Sequence, residues 1–236
     1  MKISILLLMT TLSLSSFAQK DSSREFVPPI LYRSLGVSFQ KFDGLNSRIA
    51  TRPEFKTLRD YTATLEVGSV RVFKRFVSDF ILTAGSSMSG DREKKSSTLR
   101  YLGVGIDFGY DLIKNENIML YPLVGIGGQN YQARFYKDNS LVNFNDVLQS
   151  SATQNNIRPV DFKNAFFNYR LGLGFAVRSA KHPYSSIGLR VGYNGSFKDK
   201  AWKSSDNQTL AGAPVDKLSQ FNVALVFTSM PRFMKH

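Results

Sequence analysis

Four charged side chains interrupt stretches that are otherwise apolar or glycine-rich: Glu66 in TATLEVG, Asp107 in YLGVGIDFGYD, Arg170 in NYRLGLG and Arg190 in GLRVGYN. Two carboxylates could serve as general acid and base. In each case, however, the neighbours two positions away are small or polar, and the residues in between are bulky and apolar. That places the charges on the thin face of a β-strand, where side chains alternate with a period of two. Two acids and two bases confined to one narrow interior are expected to pair, because an unpaired buried charge costs several kcal/mol. Glu66, Asp107, Arg170 and Arg190 are therefore read as a luminal ion network, with Asp107 a structural counter-ion rather than a catalytic acid.

Other chemistry is poorly supplied. The chain has two histidines and no cysteine. His182 lies in the short turn SAKHPYS and His236 is the last residue, so neither has the nucleophile and orienting acid of a triad around it. The same scarcity argues against a transition-metal site, and SGDREKKSS lacks the ordered acids of a calcium loop. GVGIDFG and GIGGQN are glycine-rich but miss the spacing of phosphate-binding loops. No catalytic residue, cofactor or metal is expected, and the protein is read as a non-enzyme.

The elements that must carry these residues are strands. Alternation marks eight, near 31–42, 60–71, 76–88, 98–110, 118–132, 164–178, 184–196 and 217–228. In the fourth, Leu102, Val104, Ile106, Phe108 and Tyr110 alternate with Tyr101, Gly103, Gly105, Asp107 and Gly109. The sixth, seventh and eighth show the same contrast. A soluble barrel would cover its outside with Lys, Glu, Thr and Gln. A glycine-rich face instead suits the crowded interior of an eight-stranded barrel, with the bulky face toward lipid. The third strand, FVSDFILTAG, allows two registers, and Pro122 with Gly125, Gly127 and Gly128 suggests a bulge or bend in the fifth.

The connections alternate long and short, which groups the long ones at one end, as in barrels with short periplasmic turns and longer external loops. Aromatic residues fall near both ends: Phe73, Phe76, Tyr110, Phe175, Tyr184 and Phe227 at one, Phe39, Tyr61, Tyr131, Phe167, Tyr193 and Phe221 at the other. The start, MKISILLLMTTLSLSSFAQK, has the basic, apolar and small-residue regions of a secretory signal peptide. The organisation follows as a signal peptide at 1–18, a periplasmic segment at 19–30, a β-barrel at 31–228 and a periplasmic tail at 229–236.

Signal peptide, eight alternating strands, a glycine-rich inner face and the loop rhythm together resemble the small outer-membrane barrels of the OmpA and OmpX type. The resemblance implies an all-β, antiparallel, up-and-down transmembrane barrel in the outer membrane of a Gram-negative-type bacterium, without an open pore. The formal charge of +13 would suggest nucleic acid in a cytoplasmic protein, but export removes that partner. Outer-membrane lipid and lipopolysaccharide, or a larger membrane complex, take its place. Candidate contacts lie in the two longest loops: Phe135, Tyr136 and Phe144 in one, Lys200, Trp202 and Lys203 in the other. The expected role is structural or surface-binding, alone or as an accessory subunit; an outer-membrane lipid-modifying enzyme and a soluble ligand-binding barrel remain as alternatives.

Overall fold

The structure is a computed structural model that describes residues 29–230 apart from 92–93, 114, 116 and 180–184. The signal peptide, the tail beyond 230, Tyr184, His182 and His236 lie outside the described residues.

Eight strands run in a meander: β1 Ile30–Gln40, β2 Tyr61–Phe73, β3 Phe76–Gly90, β4 Ser96–Tyr110, β5 Ile118–Tyr136, β6 Val160–Arg178, β7 Ser186–Ser196 and β8 Ser219–Ser229. Each pairs antiparallel with the next, and β8 returns to β1 from Leu31↔Ser229 to Gln40↔Gln220. The sheet is closed, so the barrel has no unpaired edge, the condition for a sheet to sit in hydrocarbon. Helix α1 (Asp43–Ala50) follows β1, and α2 (Phe144–Gln149) and α3 (Ser151–Ile157) lie between β5 and β6. No described helix is long and apolar enough to cross a membrane; the strands do the crossing.

The polarity of the wall is inverted relative to a soluble barrel. In β4, Leu102 is 68% exposed and Phe108 58%, whereas Tyr101 and Asp107 are each 3%. Leu35, Val67, Leu82, Ile126, Leu171, Leu189 and Leu225 continue the exposed apolar surface around the circumference. A continuous band of this kind has no place in water and fits a lipid-facing wall.

Both uncertain registers are resolved. Strand β3 turns Val77, Asp79, Ile81 and Thr83 inward and Phe76, Phe80 and Leu82 outward. Strand β5 has no bulge: its ladders run without offset from Gly109↔Leu123 to Ser96↔Tyr136 on one side and from Ile118↔Val177 to Phe135↔Val160 on the other. Gly125 and Gly127 serve the lumen instead, and Gly128 lies on the outward face. A Cβ on Gly125 would stand 2.2 Å from Asp107 Oδ1.

Strands β5 and β6 are each 19 residues long, reaching past the expected ends because Ala133 and Phe135 of β5 continue into a buried aromatic cluster and Phe162 of β6 packs against it. Strands β3 and β4 also lengthen, which reduces their connection to 91–95. The other connections at that end, 41–60, 137–159 and 197–218, stay long, and those opposite are 74–75, 111–117 and 179–185. Of the aromatic positions, Tyr131 is corrected: it is 2% exposed and faces the lumen, whereas Phe73, Phe76, Phe39, Tyr61, Phe167 and Phe221 face out.

Candidate functional site

At mid-lumen, Asp79 on β3 and Asp107 on β4 are direct cross-strand partners. Two adjacent carboxylates repel, and two guanidiniums from β6 and β7 meet them across the interior. Arg170 Nε donates to Asp107 Oδ1 at 2.7 Å and Nη2 to Oδ2 at 3.1 Å, a bidentate geometry suited to arginine. Arg190 donates to Asp79 Oδ2 and stands 3.5 Å from Asp107 Oδ2 through Nη1. All four side chains are almost fully buried. The bare strand faces make the room: a Cβ on Gly105 would lie 2.9 Å from Arg170 Cζ.

Asp107, Arg170 and Arg190 thus come together, and Glu66 stands beside them in a different role. Its carboxylate accepts hydrogen bonds from Tyr32 Oη at 2.8 Å and Ser34 Oγ at 2.7 Å. Among the described residues it has no ion-pair partner within 4.0 Å. Its link to the layer runs through Tyr32, whose ring centroid is 5.0 Å from Arg190 Cζ. The fourth member of the ion layer is Asp79, which is not among the residues expected from sequence. A lone aspartate in an apolar strand was the available signal for its register, since charge at that level is tolerated only inside.

Above this layer the lumen is filled by amides. Gln220 Oε1 accepts from Gln129 Nε2 at 3.1 Å and Asn194 Nδ2 at 2.8 Å, and Gln220 Nε2 donates to Tyr131 Oη at 3.1 Å. Higher still, Phe42, Leu45, Ile49, Tyr101, Phe166 and Trp202 belong to one hydrophobic cluster. Helix α1 lies over the barrel mouth with Leu45 and Ile49 buried. Asp216 fixes it there, accepting from the Gly44 N–H at 2.7 Å, the Leu45 N–H at 3.0 Å and Trp202 Nε1 at 2.7 Å. A carboxylate is well placed at a helix N-terminus, where backbone N–H groups lack partners. At the opposite end, Val70, Val77, Met119 and Tyr121, with Lys74 and Arg178, line a cavity of about 270 Å³.

Two of the loop contacts expected at the surface are corrected. Trp202 is 1% exposed, because its ring packs edge-on against Phe42 at 5.3 Å and its N–H is used by Asp216. Phe135 is fully buried between Phe55 and Phe162. Tyr136 is half-buried, and Lys200 and Lys203 are exposed. Phe144 is 73% exposed; with Leu141 and Leu148 it forms an outward apolar patch on an arm whose helices bury no residue. At the base of that arm, hydrogen bonds from the Ser140 hydroxyl and backbone N–H hold Asp138 below the usual carboxylate range.

Among the described residues no group of three or more His, Cys, Asp or Glu side chains converges as a metal site. No protein-family model matches the chain, and no curated protein matches it. Among solved structures it is similar to Ail, the attachment invasion locus protein of Yersinia pestis, at 13% identity over 86% of this chain and 99% of that one, with a TM-score of 0.46. It is also similar to Neisserial surface protein A at 9% identity, 88% and 100% coverage and a TM-score of 0.48. A major outer membrane protein from Thermus thermophilus is similar at 10% identity, 85% and 98% coverage and a TM-score of 0.48. In strand count, closure and inverted polarity the chain has the architecture of the small eight-stranded outer-membrane barrels.

Proposed function

We propose that the protein is an outer-membrane barrel that passes nothing through its lumen and works at its surface, in a structural or binding role, with connections 41–60, 137–159 and 197–218 facing the exterior. The observation that carries this reading is the filled interior. An ion layer, an amide layer and an aromatic cap follow one another along the axis, and an eight-stranded barrel has little room beside them. The luminal carboxylates are engaged by arginines or hydroxyls, so the reading gives them no catalytic task. What is left for recognition is the outside: the lipid-facing wall and the arm carrying Leu141, Phe144 and Leu148, a place where function concentrates on a rigid scaffold.

Two measurements test it. In planar bilayers the purified protein is expected to show no unitary conductance, and reproducible channel steps would sink the closed-lumen reading. Because the chain has no cysteine, single cysteines report orientation directly. Phe144→Cys is expected to react with a membrane-impermeant maleimide on intact cells, and Lys74→Cys only after permeabilisation; the reverse pattern would invert the assignment.

A further inference from the structure

A groove of about 820 Å³ runs along the outer wall at the long-loop end of β3 to β6. Its floor is low because Ala84, Ala165 and Asn130 hold outward positions there, with Leu102 the large apolar residue at its edge. Its side is built by the 197–218 connection, which folds back onto β6 through the pairs Phe162↔Ser204 and Lys163↔Lys203. Lys163 Nζ donates to Ser205 O at 2.7 Å, and Asn164 Nδ2 to Lys200 O at 3.0 Å, which fastens that side further.

The charge of this groove is one-sided. Arg100, Lys163, Lys200 and Lys203 line it, and no acid does. Among the described residues Arg100, Lys200 and Lys203 make no ion pair within 4.0 Å. Toward mid-membrane the groove continues into a second trough of about 450 Å³ that shares Leu102, Asn130, Ala165 and Lys200 and adds Val104 and Phe167 from the apolar belt. Gly128 lies in that trough, and a Cβ there would meet only Phe166 O at 3.8 Å. Packing therefore does not require glycine at 128, unlike at Gly125; its effect is to keep the trough open.

Cations at the upper level and a hydrocarbon channel directly below match an amphiphile whose head is anionic and whose tails lie along the wall. We infer that this groove binds the phosphorylated glycolipid of the outer leaflet, with its phosphates on Arg100, Lys200 and Lys203 and an acyl chain along Gly128, Val104 and Phe167. Guanidinium and ammonium groups both pair with phosphate. A soluble sulfated polysaccharide would use the cations but gain nothing from the apolar trough, so the two-part shape favours lipid. The inference rests on the outward placement of the long loops.

The test is an equilibrium titration of the full folded chain in neutral-detergent micelles with bisphosphorylated lipid A, its dephosphorylated form and heparin. The triple variant Arg100→Gln/Lys200→Gln/Lys203→Gln is expected to weaken binding of bisphosphorylated lipid A roughly a hundredfold, at about fivefold per cation near a lipid surface. Removing three cations elsewhere at the same end, with Lys41→Gln/Lys94→Gln/Lys137→Gln, should leave the affinity unchanged. Gly128→Leu, which alters no charge and whose Cβ meets only Phe166 O at 3.8 Å, should weaken the lipid but not heparin. Equal loss from both triple variants, equal binding of dephosphorylated lipid, or indifference to Gly128→Leu would overturn the inference. Maleimide labelling keeps this separate from the orientation reading: loops outside with no lipid selectivity defeats only the groove.

Discussion

The ion layer and the aromatic cap fill the same barrel with opposite chemistry. At mid-lumen four charged groups from β3, β4, β6 and β7 meet in one layer, and each is paired with another of the set. At the loop end Phe42, Tyr131, Phe166 and Trp202 stack and cross at centroid distances from 5.1 to 6.2 Å, with α1 over them. The ionic layer is a closed set that fails when any member is lost, because the remaining charge stays buried. The cap distributes its stability over many apolar contacts, so each loss is partial. The wall explains the placement: the layer lies where hydrocarbon surrounds the barrel and neighbouring strand faces are glycine, whereas the cap lies where β5 and β6 outrun the membrane band and loops fold over.

The largest expected effect is therefore in the layer. Arg190→Ala removes the partner of Asp79 and one of two for Asp107, and breaking a buried pair from one side costs about 3–5 kcal/mol. Urea unfolding in lipid vesicles, followed by the mobility difference between boiled and unboiled protein, should show a loss of that size. The double variant Asp79→Leu/Arg190→Met should recover most of it, since apolar replacements of a whole pair are often neutral. A single-variant loss under about 1 kcal/mol would show that water reaches the layer and that the contrast with the cap is false.

In the cap, Asp216→Ala strips one acceptor from three donors, the N–H groups of Gly44 and Leu45 and the Trp202 indole. Losing a helix cap of this kind costs about 0.5–2 kcal/mol. The effect should be local: hydrogen exchange at residues 44–50 should quicken while the amides of β3, β4, β6 and β7 keep their protection. Quickening throughout the barrel would mean that cap and layer are one cooperative unit.

These two regions differed in how far the sequence exposed them. Strand β4 was readable because its faces are unequal, bulky against glycine, and that one contrast gave the inversion of the barrel and the inward position of Asp107. Strand β3 was not, because Val77 and Ile81 face inward as Phe80 and Leu82 face outward, leaving two apolar faces and hiding Asp79. The cap was hidden for a different reason. Trp202 sits between lysines in a polar loop, and its partners Phe42, Leu218 and Asp216 come from segments remote from it or from each other. Only closure of the barrel brings residues 42 and 202 together, and local pattern carries no trace of that. Phe135 reads as a loop residue because the outward face of β5 turns polar by 132, although the inward alternation continues to Phe135.

The smallest expected effect bears on where the ion layer ends. Grouped by charge alone, Glu66 belongs with Asp107, Arg170 and Arg190; grouped by contact, it belongs with Tyr32, Ser34 and, at 3.4 Å, Thr83. Glu66→Gln separates the two, because it keeps the size and one acceptor oxygen for Tyr32 and Ser34 while removing the charge. If hydroxyl donation is what holds Glu66, the change from a charged to a neutral acceptor should cost about 1 kcal/mol. If the carboxylate is instead an electrostatic partner of Arg190 across the Tyr32 ring, the cost should approach that of Arg190→Ala, and the two variants combined should cost less than their sum. A double-mutant cycle on Glu66 and Arg190, read by the same urea unfolding, distinguishes the cases: additive losses leave Glu66 outside the layer, and strong coupling extends the layer from β3 to β2 through an aromatic ring.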